Sequence, residues 1–159
     1  MTVICMMVPP ERSESLELAA ALADYLEQSG NTVRLGEVEA SAIGRRELGC
    51  SLEDFAADAD LAVSIGGDGT MLRTFERVAQ FGVPVLGVNV GHLGYLTEFE
   101  ADEAETAVDK ALRGDLPVEE RLMVQSRVQR STGEIESENN SWVRETFGSN
   151  CFPNWENYI

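Results

Sequence analysis

The chain has 159 residues, of which 43% are hydrophobic and 25% charged, with a formal net charge of −16 at pH 7. Domains usually run to about 100–200 residues, so this length suits one ordinary domain with a sizeable core and leaves no room for a second full one. A field of that sign repels phosphates at long range, which excludes nucleic acid and anionic membranes as main partners and requires any phosphate site to be local. The first element is TVICMMV (residues 2–8), a short apolar run ended by Pro9 and Pro10 that reads as a buried strand. Leu16, Ala19, Ala20, Ala23 and Leu26 then recur at helical spacing, with Ser13 or Ser15 as N-cap and Gly30 as stop. TVRL (residues 32–35) is a second strand, and this β-α-β start predicts a parallel sheet flanked by helices.

Residues 36–51 carry no strong period and read as an irregular connection. A short helix fits SLEDFAADA (residues 51–59), ahead of the strand LAVSI (residues 61–65). After a glycine turn a helix is predicted over 70–80, with Met71, Leu72, Phe75, Val78 and Ala79 on its apolar face and Gly82 and Pro84 ending it. VPVLGV (residues 83–88) is the next strand, followed by a second glycine-rich turn over 89–97 and a helix over 103–112. ERLMVQSRVQR (residues 120–130) alternates apolar and polar residues, the mark of a half-exposed strand, so the architecture changes near residue 118.

Cys5, Cys50 and Cys151 are scattered without metal-ligand spacing, and an odd count suits a reducing compartment. The longest apolar runs are strand-sized, and MTVICMMVPPERSES has no basic segment ahead of a long apolar core. Neither a membrane span nor a signal peptide is expected, and the location read from the sequence is cytoplasmic. Lys110 is the only lysine beside eleven arginines, and acids crowd stretches such as EFEADEAE. This balance suits a halophilic, salt-loaded cytoplasm, where ionic strength screens self-repulsion; an ordinary acidic protein is the alternative.

The chemistry centres on LAVSIGGDGTML (residues 61–72), where Gly66, Gly67 and Gly69 surround Asp68. A glycine turn between a strand and a helix offers backbone N–H groups and a helix N-terminus to phosphate oxygens. An aspartate there conflicts with phosphate binding alone. The conflict resolves if Asp68 takes a proton from an attacking hydroxyl or helps to hold a divalent cation. The competing reading is a structural turn whose aspartate caps its own helix. His92, the only histidine, lies in the second glycine turn and reads as a bystander.

SIGGDGTMLR (residues 64–73) followed by GVNVGHLGYLTEF (residues 87–99) closely resembles the NAD kinase family, also called ATP-NAD or polyphosphate/ATP-NAD kinases. The glycine-aspartate motif is shared with diacylglycerol-type lipid kinases and phosphofructokinases; the second block at that distance is more specific. The resemblance runs over residues 1–130 and includes EERLMV (residues 119–124), similar to the start of the family's second domain. It implies an α/β fold: a Rossmann-like N-terminal domain with a parallel sheet and flanking helices, plus the first strand of an incomplete β-rich second domain. By resemblance, Asp68 is the base that activates the 2′-hydroxyl of the adenosine ribose of NAD, with Gly69 beside it. Gly66, Gly67 and Thr70 meet the phosphates, Arg73 reaches the dinucleotide, and Asn89 and Gly91 shape the neighbouring wall. The implied partners are NAD and ATP or polyphosphate, with Mg²⁺ or another divalent cation, no protein residues assigned to metal, and a homo-oligomer when full length. A lipid kinase or a non-catalytic nucleotide-binding fragment are the alternatives.

The resemblance does not continue beyond about residue 130, and the composition breaks at residue 137. Between residues 137 and 159 lie five of the seven asparagines and five of the eleven aromatics, with three glutamates and no aspartate. The Asn-Glu or Asn-Asp pair and the glycine- and threonine-rich segment of the family's second domain are not recognisable there. The expected organisation is therefore a nucleotide-binding domain over 1–117, the start of a second domain over 118–136, and a divergent tail over 137–159 in a truncated chain. That tail has no periodic face and is expected to lack stable packing.

Overall fold

A computed structural model of the chain describes residues 1–92, 94–129 and 135–142. The chain divides into two compact units, Met1–Val118 and Glu119–Ile159. In the first, β1 (Val3–Met7), α1 (Ser13–Gln28), β2 (Thr32–Gly36), α2 (Glu37–Ala42) and β3 (Gly49–Cys50) form the opening half. β4 (Leu61–Gly66), α3 (Asp68–Val78), β5 (Val85–Asn89), β6 (Phe99–Glu100) and α4 (Ala104–Leu112) form the second. All six strands pair in parallel in the order β3-β2-β1-β4-β5-β6. β1 thus lies mid-sheet, with Ile4 opposite both Val33 and Leu61. The strand order reverses between β1 and β4, and in open parallel sheets ligands bind beyond the carboxyl ends of the strands at such a reversal.

The continuous apolar runs have a physical cause, since each central strand is covered on both faces. Ile4, Met6, Val63, Ile65 and Val88 face one way, and Leu22, Leu26, Ala107 and Val108 of α1 and α4 cover them. Cys5, Met7 and Ala62 face the other way, toward Phe55, Ala56 and Val78. Phe55 is fully buried with the Arg77 guanidinium 5.1 Å from its ring centroid, and truncating so buried a phenylalanine typically costs about 3–5 kcal/mol. Tyr25 donates a hydrogen bond to Asp109 (3.0 Å), tying α1 to α4.

Several local expectations need correction. The helix expected over 51–59 is a run of turns. Arg34 bonds the carbonyls of Asp54 (2.9 Å) and Ala57 (2.6 Å) and the carboxylate of Asp58 (2.7 Å), and Asp58 has a left-handed φ of 56°. Carbonyls that a helix would use internally are thus taken by β2. The connection read as irregular contains α2, whose single buried residue, Ala40, is too small a face to register as a period. The first helix begins at Ser13 with Arg12 as N-cap, so neither serine caps it. The helix expected over 70–80 starts at Asp68, and Gly82 closes the following 3-10 turn with a φ of 66°.

In the second unit β7 (Met123–Gln129) pairs antiparallel with β8 (Ile135–Trp142), Met123 opposite Trp142, with a register shift at Val128 and Gln129. Residues 137–142 of the expected unpacked tail are therefore part of a ladder. Backbone pairing with β7, which needs no apolar period, makes the strand. Residues 143–159 lie outside the described residues.

Candidate functional site

β4 is buried along its whole length and delivers Gly66 to the carboxyl edge of the sheet, beside Asn89 of β5. Gly66 has a φ of 154°, and a Cβ there would lie 2.5 Å from Thr70 Oγ1. The strand can bend into α3 beneath Thr70 only because that atom is missing. Gly67 and Gly69 differ, since an added Cβ would meet nothing within 4 Å at either position. The turn is closed from inside by the amides of Thr70 (2.9 Å) and Met71 (3.1 Å), both donating to the Gly67 carbonyl.

Asp68, half-buried, opens α3, yet its carboxylate caps nothing in that helix. It accepts hydrogen bonds from the backbone of the second glycine turn instead. Tyr95 N–H lies 3.1 Å from Oδ1 and 3.0 Å from Oδ2, and Leu96 N–H lies 3.0 Å from Oδ1. The two quoted glycine blocks are thus joined through this side chain. Charge-assisted bonds of this kind are the stronger ones. The reading of Asp68 as a cap of its own helix is not what the geometry has.

Asn89 is 1% exposed. Its Nδ2 donates to the Glu100 carboxylate at 3.3 and 3.4 Å, while its Oδ1, with Ser64 Oγ and Thr97 Oγ1, is buried without a partner among the described residues. Gly91 has a φ of 108°, and a Cβ there would approach Arg12 Nη1 to 3.8 Å. Arg73 is exposed on α3 without an ion pair among the described residues, and His92 is exposed. The structure therefore joins Gly66 to Thr70 and Asn89, and Asp68 to residues 94–96. Among the described residues it makes no such link to Arg73. Sequence reasoning missed Gly94, the amides of Tyr95 and Leu96, and Glu100, because a backbone donor leaves no mark on residue type.

Among the described residues no group of three or more His, Cys, Asp or Glu side chains could hold a metal ion. Nor is any described helix long and apolar enough to cross a membrane. Burial pushes the Cys5 thiol up to about 12 and, chiefly by desolvation, raises that of Cys50, so neither is an activated nucleophile.

Residues 4–116 match the profile described as the ATP-NAD kinase N-terminal domain. The chain belongs to the NAD kinase family. An NAD kinase of Moorella thermoacetica is 41% identical over 127 residues, which cover 80% of this chain and 40% of that protein. One from Symbiobacterium thermophilum is 35% identical over 125 residues, covering 79% of this chain and 44% of the other. The chain spans about two-fifths of the length of these curated relatives. In three dimensions it is similar to the yeast NADH kinase crystallised with NADH, with a TM-score of 0.76 at 17% identity over 88% of this chain and 46% of that one. That likeness shows the α/β fold.

Proposed function

We propose that this chain carries the phosphoryl-acceptor half of an NAD kinase site, in which NAD is phosphorylated at the 2′-hydroxyl of its adenosine ribose by ATP or polyphosphate. The observation that carries the reading is the Asp68 carboxylate, held at the carboxyl edge of the sheet by two amides and flanked by the open backbone of Gly67 and Gly69. Asp68 is the catalytic residue, taking the hydroxyl proton as that oxygen attacks phosphorus. Gly66, Gly67 and Thr70 form the turn that meets the phosphates, and Gly69 accompanies Asp68 in contact with NAD. Arg73 contacts the dinucleotide, and Asn89 and Gly91 shape the neighbouring wall. A divalent cation such as Mg²⁺ arrives with the donor's phosphates as part of the substrate.

In the same reading residues 1–117 are the nucleotide-binding domain, 118–136 begin a β-rich second domain and 137–159 diverge from the family. The protein is cytoplasmic and assembles as a homo-oligomer when full length. Its charge of −16 suits a salt-rich cytoplasm, so thermal stability rises with added KCl.

The test is to incubate the purified chain with NAD and either ATP-Mg²⁺ or polyphosphate, follow NADP, and measure NAD binding by calorimetry. NADP formation that Asp68→Asn abolishes supports the reading. Binding without NADP reduces it to a nucleotide-binding module. Phosphorylation of a diacylglycerol, or no binding of NAD, overturns it.

A further inference from the structure

Gly94 immediately precedes the two amides that hold Asp68. Space forbids a side chain there. A Cβ at 94 would lie 2.2 Å from Asp68 Oδ1, 2.9 Å from Asp68 Cγ and 3.3 Å from Asp68 Oδ2, and these are the three nearest atoms. The void at 94 is filled by the Asp68 carboxylate.

The hydrogen bonds divide the two oxygens. Oδ1 accepts from both Tyr95 N–H and Leu96 N–H, whereas among the described residues Oδ2 accepts from Tyr95 alone. The one Tyr95 hydrogen is shared between the two oxygens and the Leu96 hydrogen goes to Oδ1 alone, so among the described residues Oδ2 is the less engaged of the two.

We infer that Gly94 is a positioning residue for Asp68, its absent side chain letting residues 94–96 clamp the carboxylate so that Oδ2 is the atom that accepts the proton. The assignment of Oδ2 rests on the phosphoryl-transfer reading above. In that step the acceptor O–H passes its proton to Oδ2, the freed oxygen pair forms the new P–O bond, and the bond to the leaving diphosphate or polyphosphate oxygen breaks with its electrons. A methyl group at 94 displaces the carboxylate from both amides.

Thermal unfolding of the parent chain, Gly94→Ala, Asp68→Ala and the double variant tests the clamp. Gly94→Ala lowers Tm by about 4–8 °C in the parent and by less than about 2 °C in the Asp68→Ala background, where the obstructing atoms are gone. The ¹H–¹⁵N resonances of Tyr95 and Leu96 move in Gly94→Ala and in Asp68→Asn. In NADP formation Gly94→Ala lowers kcat with the KM for NAD little changed. An equal Tm loss in both backgrounds, or unmoved resonances in Gly94→Ala, overturns the clamp. Absence of NADP formation by the parent overturns the Oδ2 assignment with the reading it rests on, and leaves the thermal cycle to decide the clamp by itself.

Discussion

The two glycine turns use the same residue type for opposite ends. In the first, Gly66 is dictated by backbone conformation and by Thr70, while Gly67 and Gly69 face open space. In the second, Gly91 is dictated by its φ of 108° and Gly94 by the Asp68 carboxylate packed against it. One turn therefore leaves open space beside its backbone, and the other is filled by a side chain of the chain itself.

The largest effect expected of that division is chemical. Asp68→Asn keeps one oxygen for the amides of Tyr95 and Leu96 but cannot take a proton, so NADP formation falls by about 10²–10⁴-fold while folding is retained. Circular dichroism alongside the assay checks both halves, and near-normal turnover would remove Asp68 from the chemistry. Next is Gly66→Ala, which forces a Cβ into Thr70 at an unfavourable φ and lowers stability by about 2–3 kcal/mol in denaturant titration. A neutral result would erase the distinction between Gly66 and its neighbours.

Gly69→Ala should move the other way in stability. Inside α3, with nothing within 4 Å, alanine is the better helix former by about 0.5–1 kcal/mol, so Tm rises. The same methyl occupies the approach to the turn, and NAD binding weakens by about tenfold. Unchanged affinity would mean that the open space serves no ligand. A further effect lies under neither turn and shows only at alkaline pH. Cys5 is buried in β1, and its thiol is pushed up from 9.0 to about 12 by desolvation. The folded state keeps a proton that the unfolded chain gives up, so stability is untouched below pH 9 and declines between pH 9 and about 12. Cys5→Ala flattens that alkaline slope, as thermal unfolding at pH 8 and pH 10.5 would register, and does so equally in Gly66 and Gly69 variants.

The central strands were legible because LAVSI and TVICMMV are covered on both faces and must be apolar throughout. α1 and α3 were legible because each buries one stripe. β3 and β6 have two residues each, too few for any period, and β8 is made by its partner's backbone. The turns over 51–59 were misread because SLEDFAADA has helical composition, and the decisive competitor, Arg34, comes from a different strand. At the site, residue types pointed to Asp68 and its glycines. The partners of Asp68 were hidden because amides at 95 and 96 are common to almost every sequence.

The mid-sheet place of β1 also bears on how the chain leaves the ribosome. Synthesis releases β1, α1 and β2 first, and Ile4 can meet Val33 at once, but its other edge waits for Leu61 and the rest of β4. Until then a strand of Ile4, Cys5 and Met6 has one unpaired row of backbone groups and an uncovered apolar face, the combination that invites association of nascent chains. The run of turns between β3 and β4 therefore sets a waiting time. Slower translation over residues 51–60 lengthens the exposure, and a chaperone that shields short apolar strands would find its target here before the glycine turn exists.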